Sequence, residues 1–417
     1  MLKSLKNIVL FILILLTPSI LLAQLSLDGE FRPRSEYRNG YQLLRTPATE
    51  PAFFTSQRTR LSLNYESDLY KIKVSGQDVR VWGEVEQLQD NANVNIHEAW
   101  AQLYLSEVFQ LKLGRQELVY DDQRLLGSVN WTQQARSHDA LVLKYHDSDS
   151  NLQIDLGGAF NQEAQTLFNN PYTLNNYKVL SYLWMNKKIS YLDISAIFLT
   201  DGFEHQSGGT NFRYTYGTHL LYNTQDWELS GSAYFQGGDD ATRRNISASM
   251  FSLNATRSLG NVQLKTGFDY LSGGGINDAD PARHAFHTLY ATNHKFYGHM
   301  DYFLNIPRDT RGGGLQDVYL GTTFKVNEEA SIGLTYHYLA LANNIQNPLN
   351  TDEVSDKYLG SEIDWSFSYS FTDEIGFRMG YSTLFNSSSL DALQQRAGKY
   401  TQHWGWAMIM LTPQFLN

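Results

Sequence analysis

The chain has 417 residues and no cysteine. That absence excludes disulfide frameworks, thiolate metal centres and thiol nucleophiles together. Proline is scarce, at 9 residues. No block of like charge or low-complexity tract occurs, and a net charge of −10 argues against nucleic acid as a partner. No glycine-rich phosphate loop is present, so neither an ATP site nor another cofactor is expected. Beyond residue 24 no apolar stretch reaches the roughly 18 residues that a membrane-spanning helix needs.

Tyrosine (26), phenylalanine (22) and glycine (31) are abundant instead, a composition that favours strands and turns over helices. The first residues, "MLKSLKNIVLFILILLTPSILLAQ", place Lys3 and Lys6 before an apolar run over residues 8–16. Pro18 follows, with a cleavage position after Ala23. This is the form of a secretory signal peptide over 1–23, leaving 24–417 as the mature chain; a retained anchor is the alternative.

From Leu25 onward the dominant period is two. "IDWSFSYSF" sets Ile363, Trp365, Phe367, Tyr369 and Phe371 on one face and Asp364, Ser366, Ser368 and Ser370 on the other. Such alternation gives each strand one apolar and one polar face. Strands are expected at about 25–38, 57–66, 70–81, 96–105, 108–117, 137–146, 151–161, 177–186 and 189–200. Nine more are expected at about 212–222, 226–236, 246–258, 261–270, 315–326, 329–340, 359–371, 374–385 and 401–413. The even-numbered connections are short and polar ("SDL", "SE", "DSDS", "NKK", "NTQ", "LGN", "NEE", "TDE"), and the odd-numbered ones are long. Strict alternation puts every long loop at one end. The expected fold is all-β: a transmembrane antiparallel barrel of about 18 strands, with short periplasmic turns and long extracellular loops, in the outer membrane of a Gram-negative bacterium. A soluble sandwich or solenoid predicts no such parity, and a closed barrel satisfies its backbone polar groups in lipid where an open sheet cannot.

With the apolar face toward lipid, charges on the other face look inward. The first strand contributes Asp28, Glu30, Arg32, Arg34 and Glu36, and the second Arg58 and Arg60. Lys71, Lys73, Lys112, Lys144, Arg213, Lys265, Lys325 and Arg378 follow, interspersed with Asp155, Glu228, Asp269, Asp317, Glu362 and Asp364. Two readings stay open: solvated, mutually paired lumen charges, or a cationic track for an anion, to which the planar arginine fork is suited.

The third long loop is unusual. "YDDQRLLGSVNWTQQARSHD" flanks its charges with Leu125, Leu126 and Val129, apolar residues that a loop folded back into the mouth would need and a freely solvated one would not; an ordinary mobile surface loop is the alternative. With its strands, "LKLGRQELVYDDQRLLGSVNWTQQARSHDALVLKY" resembles the signature segment of the alginate-export family of outer-membrane proteins. The matching positions are Gly114, Arg115, Gln116, Asp122, Gln123, Arg124, Leu125, Gly127, Trp131, Gln133, Arg136 and Asp139. "NHKFYGHMDYF", residues 293–303, is similar to a second stretch in the family's late long loop. Asp121 stands where the family tends to have glycine.

The resemblance implies a monomeric barrel that passes an anionic saccharide of the alginate type by passive diffusion through an arginine-lined constriction. Arg115, Arg124 and Arg136 are then the leading constriction residues, followed by Arg34 and Arg60. Gln116, Asp122, Gln123, Trp131, Gln133 and Asp139 act as supporting motif, and lipid surrounds the outer face. A general porin without saccharide preference is the alternative. A second is an outer-membrane enzyme or adhesin, because His284, His287, His294 and His299 share the longest loop with Asp278, Asp280 and Asp301. No ligand spacing or catalytic set emerges from these, so they read as loop and lumen contacts, with no metal and no catalytic residue assigned. Asn277, Asp278 and Asp280 carry only a weak calcium-loop signal.

Overall fold

A computed structural model describes residues 25–89, 91, 93–170, 172, 176–205, 209–396 and 400–416; the expected signal peptide lies outside the described residues. The strands are β1 (Leu25–Asn39), β2 (Ala52–Glu66), β3 (Tyr70–Val81), β4 (Val94–Tyr104), β5 (Phe109–Gln116) and β6 (His138–Asp147). Next come β7 (Leu152–Phe160), β8 (Val179–Ile189), β9 (Leu192–Glu204), β10 (Thr210–Asn223), β11 (Trp227–Asp239) and β12 (Asn245–Leu259). The remainder are β13 (Val262–Leu271), β14 (Leu315–Lys325), β15 (Ala330–Ala340), β16 (Tyr358–Ser370), β17 (Ile375–Asn386) and β18 (Gln402–Leu411). A short β19 (Gln414–Leu416) resumes the line of β18 after Thr412 and Pro413, and both pair with β1. Every strand is antiparallel to the next, and β18 closes on β1, so eighteen walls form a sealed barrel. Two short helices, α1 (Ile306–Asp309) and α2 (Ser388–Gln394), lie in the long loops.

Alternation places the side chains as expected. On β6, Leu141 and Leu143 are exposed while Ala140 and Val142 are buried; on β1, Arg32, Arg34 and Glu36 are buried while Phe31 and Tyr37 are exposed. Three details differ from the sequence reading. Lys187 and Lys188 extend β8, because the hairpin closes tightly at Ser190, whose φ is 55°. The connections after β9 and β11 shorten, since those strands run on through polar pairs such as Asp201–Arg213. The last strand breaks at Pro413, which has no N–H to give.

The interior was expected to be polar, yet its extracellular half contains an apolar core. Leu125, Leu126, Phe286, Leu289, Phe303 and Ile306 come from inward-folded loops and pack with inward strand residues such as Tyr182, Leu199, Tyr234, Met250 and Trp404. Side chains alone do not fill a barrel of this size; here two loops, residues 117–137 and 272–314, occupy it.

The closing seam is irregular. Cα partners run from Phe31↔Leu411 to Arg34↔Met408 with nothing paired at Arg32 and Pro33, and the register shifts again between Leu27 and Asp28. Pro33 and Pro413 both fall on this seam.

Candidate pore constriction

The loop of residues 117–137 turns inward through tight local geometry. Asp121, Gln123, Val129 and Ala135 all have positive φ, between 50° and 73°, in the left-handed region that costs a side chain energy. Asp121, at 50°, explains why glycine suits its position; here its carboxylate instead accepts the Trp184 indole N–H at 3.0 Å. The two inward loops then clasp each other. Gly127 N–H donates to the Tyr290 carbonyl (2.9 Å), Tyr290 N–H to that of Leu125 (2.9 Å) and Thr292 N–H to that of Gln123 (3.0 Å). The Thr292 hydroxyl donates to Gln123 Oε1 at 2.7 Å. Gly127 is required here, because a Cβ would lie 2.4 Å from Thr292 Oγ1.

Arg124 is the bolt of this clasp. Only 3% of its side chain is exposed, and it meets Asp122 at 2.7 Å and Asp269 of β13 at 2.9 Å. Its guanidinium lies 4.0 Å from the Phe296 ring centre. Burial disfavours its charge, but Asp269 and Asp122 outweigh that and hold its pKa well above the usual guanidinium value. An arginine so neutralised has no free charge for a solute.

The loop tip is held to the wall of β1 and β2 by other arginines. Arg32 donates to Gln133 Oε1 (3.2 and 3.1 Å) and to the carbonyls of Asn130 and Thr132 (both 2.9 Å). Arg58, fully buried, grips Glu30 at 2.6 and 2.8 Å and Asn130 Oδ1 at 2.8 Å. Arg34 donates to the Trp131 carbonyl (2.6 Å) and lies 4.2 Å over its ring. The Trp131 ring also stacks on His294 at 4.3 Å, with edges against Trp404 and Trp406. Glu36 collects Arg34 (2.9 Å), Arg38 (2.8 Å) and the Trp404 indole (3.1 Å).

Two expected constriction residues remain without an acid. Arg136 donates to the Ala291 carbonyl at 3.1 Å, and burial holds its pKa below the usual guanidinium range. Arg60 donates to Gln77 Oε1 at 2.6 and 3.0 Å. Neither pairs with a carboxylate among the described residues.

Arg115 is a correction. It shares the outward parity of Leu113, is paired across the strands with Asp139 and meets it at 3.2 Å, with 43% of its side chain exposed. This pair lies at the extracellular ends of β5 and β6, where a charge on the outer face costs little, so neither residue lines the lumen. Changing Arg115 to alanine is expected to leave ion selectivity unchanged in bilayer recordings; a shifted reversal potential would contradict this placement. Gln116 is buried and donates to the Ala140 carbonyl at 2.9 Å, a wall contact.

Two cavities flank the loop tip. The outer one, about 590 Å³, is lined by Arg34, Arg38, Arg136, Trp131, Gln134 and His294 among others. The inner one, about 980 Å³, is lined by Asp28, Glu30, Arg60, Lys73, Asp373 and Glu374 among others. Along β1 and β2, the buried Arg32 and Arg58 fall between the residues of the two cavities. Elsewhere many inward charges pair off: Lys144 with Asp155 at 2.6 Å, Arg213 with Asp201 at 2.5 Å. Sequence reasoning placed Arg32, Arg58, Glu30 and Glu36 inward without assigning them a role. It missed Trp404 as a loop contact, although an inward tryptophan in a barrel strand is itself a signal.

The histidines of the longest loop are structural contacts. His284 meets the Ser247 carbonyl (3.1 Å), His287 Nδ1 accepts from Leu289 N–H (2.9 Å) and His294 meets Asp301 (2.8 Å). Asp280 is taken by Arg244 at 2.6 Å and Asp278 by the Gly275 N–H at 2.7 Å. Among the described residues no three such side chains converge to hold a metal ion.

A sealed barrel with an apolar outer wall, a charged lumen and an inward loop between two cavities defines a channel of the outer-membrane porin class. It resides in the outer membrane of a Gram-negative bacterium. The alginate export family model matches residues 23–404, and the chain belongs to that family. No curated protein matches the sequence. Solved structures share the fold at low identity. Pseudomonas aeruginosa OccK9 (OpdG) has a TM-score of 0.64 and 12% identity, over 95% of this chain and 100% of its own. Acinetobacter baumannii OccAB4 has 0.61 and 12%, over 94% and 98%. Pseudomonas aeruginosa OpdK, solved with vanillate, has 0.61 and 9%, over 95% and 100%.

Proposed function

We propose that the channel passes a carboxylate-bearing solute by passive diffusion, with an anionic saccharide of the alginate type as the favoured class. One observation carries this reading. The inward faces of β1 and β2 present Arg32, Arg34, Arg38, Arg58 and Arg60 against the acids Asp28, Glu30 and Glu36. Of the residues expected at the constriction, Arg136 and Arg60 keep uncommitted charge, one at each cavity. A carboxylate would meet Arg136 first and Arg60 next, each contact weak enough to release. Vanillate, present in the OpdK structure, is a small carboxylate, and a solute of that size suits an outer cavity of about 590 Å³. A second reading, a porin for small solutes without saccharide preference, draws support from the mixed charge of the inner cavity.

The test is reversal potential and blocking in planar bilayers. Wild type is expected to prefer anions and to be blocked by uronate oligomers more than by neutral ones. Changing both Arg60 and Arg136 to glutamate should shift the anion-to-cation permeability ratio on the order of tenfold, given about 1 kcal/mol for a hydrated charge contact. Equal block by charged and neutral oligomers would favour the second reading. A reversal potential unmoved by the double change would remove these arginines from the path.

A further inference from the structure

The extracellular face holds a third cavity, beyond the two that flank the loop tip. It measures about 370 Å³ and is lined by Gln42, Leu43, Leu304, Arg308, Asp309 and Leu393 among others. Its walls come from three loops, residues 40–51, 272–314 and 387–401. Gln42, Asp301 and Leu304 also line the outer cavity, so single side chains separate the two spaces. That partition is firmly held. Gln42, at φ 62°, donates its N–H to the Met300 carbonyl at 3.0 Å. Gln394, the last residue of α2, donates to the Gln42 carbonyl (3.2 Å) and accepts the Leu44 N–H (2.8 Å). The Tyr302 hydroxyl donates to the Gly40 carbonyl and that of Tyr41 to Asp301. The backbone of residues 40–44 is thereby fixed. The Gln42 side chain is exposed and meets no other group among the described residues. Its amide offers donors and an acceptor at the junction.

The two adjoining cavities differ in charge. In the outer one, Arg34 and Arg38 share the single carboxylate of Glu36, and Arg136 has none. In the third, Arg308 is 73% exposed and gives only its Nε–H to Asp309, at 2.7 Å, so its terminal nitrogens stay free among the described residues. Asp309 also accepts the Asn305 N–H at 2.7 Å, and each of its oxygens keeps a lone pair. Asp301 stands at the partition, held by His294 at 2.8 Å. Two carboxylates against one arginine repel a second anion. The same groups suit hydroxyls, which need donors and acceptors side by side. Leu43, Leu304 and Leu393 add apolar surface for the carbon face of a ring.

We propose that the third cavity is a subsite for an uncharged, hydroxyl-rich sugar ring joined to a carboxylate-bearing ring in the outer cavity, with Gln42 at the linkage. The inference rests on the carboxylate reading above and narrows it. The solute is an acidic oligosaccharide in which a neutral sugar neighbours the uronate, not an unbroken uronate chain. Both cavities, at about 370 and 590 Å³, fall within the roughly 300–1,000 Å³ of small-ligand sites.

The test is ligand-detected NMR titration of the detergent-purified protein with glucuronate, diglucuronate and glucuronate linked to glucose. The mixed disaccharide is expected to bind on the order of tenfold tighter than glucuronate, the net of a few added hydrogen bonds and the cost of ordering a second ring. Diglucuronate is expected to gain nothing over glucuronate. Arg308→Ala removes an exposed side chain and leaves the Asn305 cap on the Arg308 N–H in place; it should erase most of the mixed disaccharide's gain. Asp309→Asn, which keeps the shape and removes the charge, should let diglucuronate bind severalfold tighter. Equal affinities for glucuronate and the mixed disaccharide overturn the subsite and leave the carboxylate reading intact. Diglucuronate matching the mixed disaccharide in the unaltered protein overturns the neutral-ring assignment. A gain that survives Arg308→Ala puts the second ring outside this cavity and overturns the subsite as well. Glucuronate that binds neither alone nor linked removes the carboxylate reading, and the subsite with it.

Discussion

Replacing Arg124 with alanine is expected to cost about 3–5 kcal/mol of folding stability, the penalty for removing one partner from a buried ion pair. Asp269 and Asp122 would lose their guanidinium, and Asp269 is 1% exposed, so water cannot replace it without opening the clasp. The Phe296 ring would lose its cation and Tyr297 the N–H it accepts at 3.4 Å. The measurable outcome is a lower temperature for conversion of the folded, fast-migrating gel band to the unfolded one. Larger and noisier single-channel conductance should accompany it, as both inward loops come loose. Arg124→Lys should recover only part of the loss, because one ammonium cannot span two carboxylates as a fork does. A conversion temperature unchanged in Arg124→Ala would show that the clasp is held by its backbone bonds alone.

The second large effect is expected from Trp131→Ala. The ring fills the space between Arg34 and His294 and abuts Trp404 and Trp406. Its loss should cost about 3 kcal/mol, the low end for truncating a packed aromatic, since the ring is partly exposed to the outer cavity. The tip would keep its Arg32 and Arg58 hydrogen bonds, so the loop should stay inside. The expected signature is a stable shift to higher conductance with stronger anion preference, as the Arg34 guanidinium loses its aromatic cover. Lower stability with unaltered conductance would mean that the ring packs the loop without narrowing the path.

Arg115 shows how much of this was legible and where two sources of inference diverged. The family motif drew it toward the pore, and the alternation was not applied to it; with Lys112 inward, the period of two sets Arg115 outward beside Leu113, where the structure has it. The same alternation located all eighteen strands, because a wall with lipid on one side and charge on the other leaves the pattern little freedom. Leu125 and Leu126 pointed to an inward loop but, on pattern alone, left an ordinary surface loop equally open. Their partners were not readable: Tyr182 and Met250 are remote in the chain, and nothing local distinguishes an inward apolar residue that meets a loop from one that faces lipid. The arginines posed the opposite problem. Sequence alone counted Arg124 and Arg136 as equivalent charges, and only the placement of Asp269, contributed by a distant strand, separates the one that binds the protein from the one free to meet a solute.

The seam between β1 and β18 has a mechanical consequence. A closed barrel carries hoop tension through its interstrand hydrogen bonds, as a cask does through its staves, and it parts where fewest bonds cross. Pro33 and Pro413 each remove an N–H on this one joint, and the pairing there lapses at Arg32 and shifts near Leu27. The wall that carries the arginine face is thus also the stave beside an interrupted joint, and a barrel forced open there would lose its arginine-lined surface first.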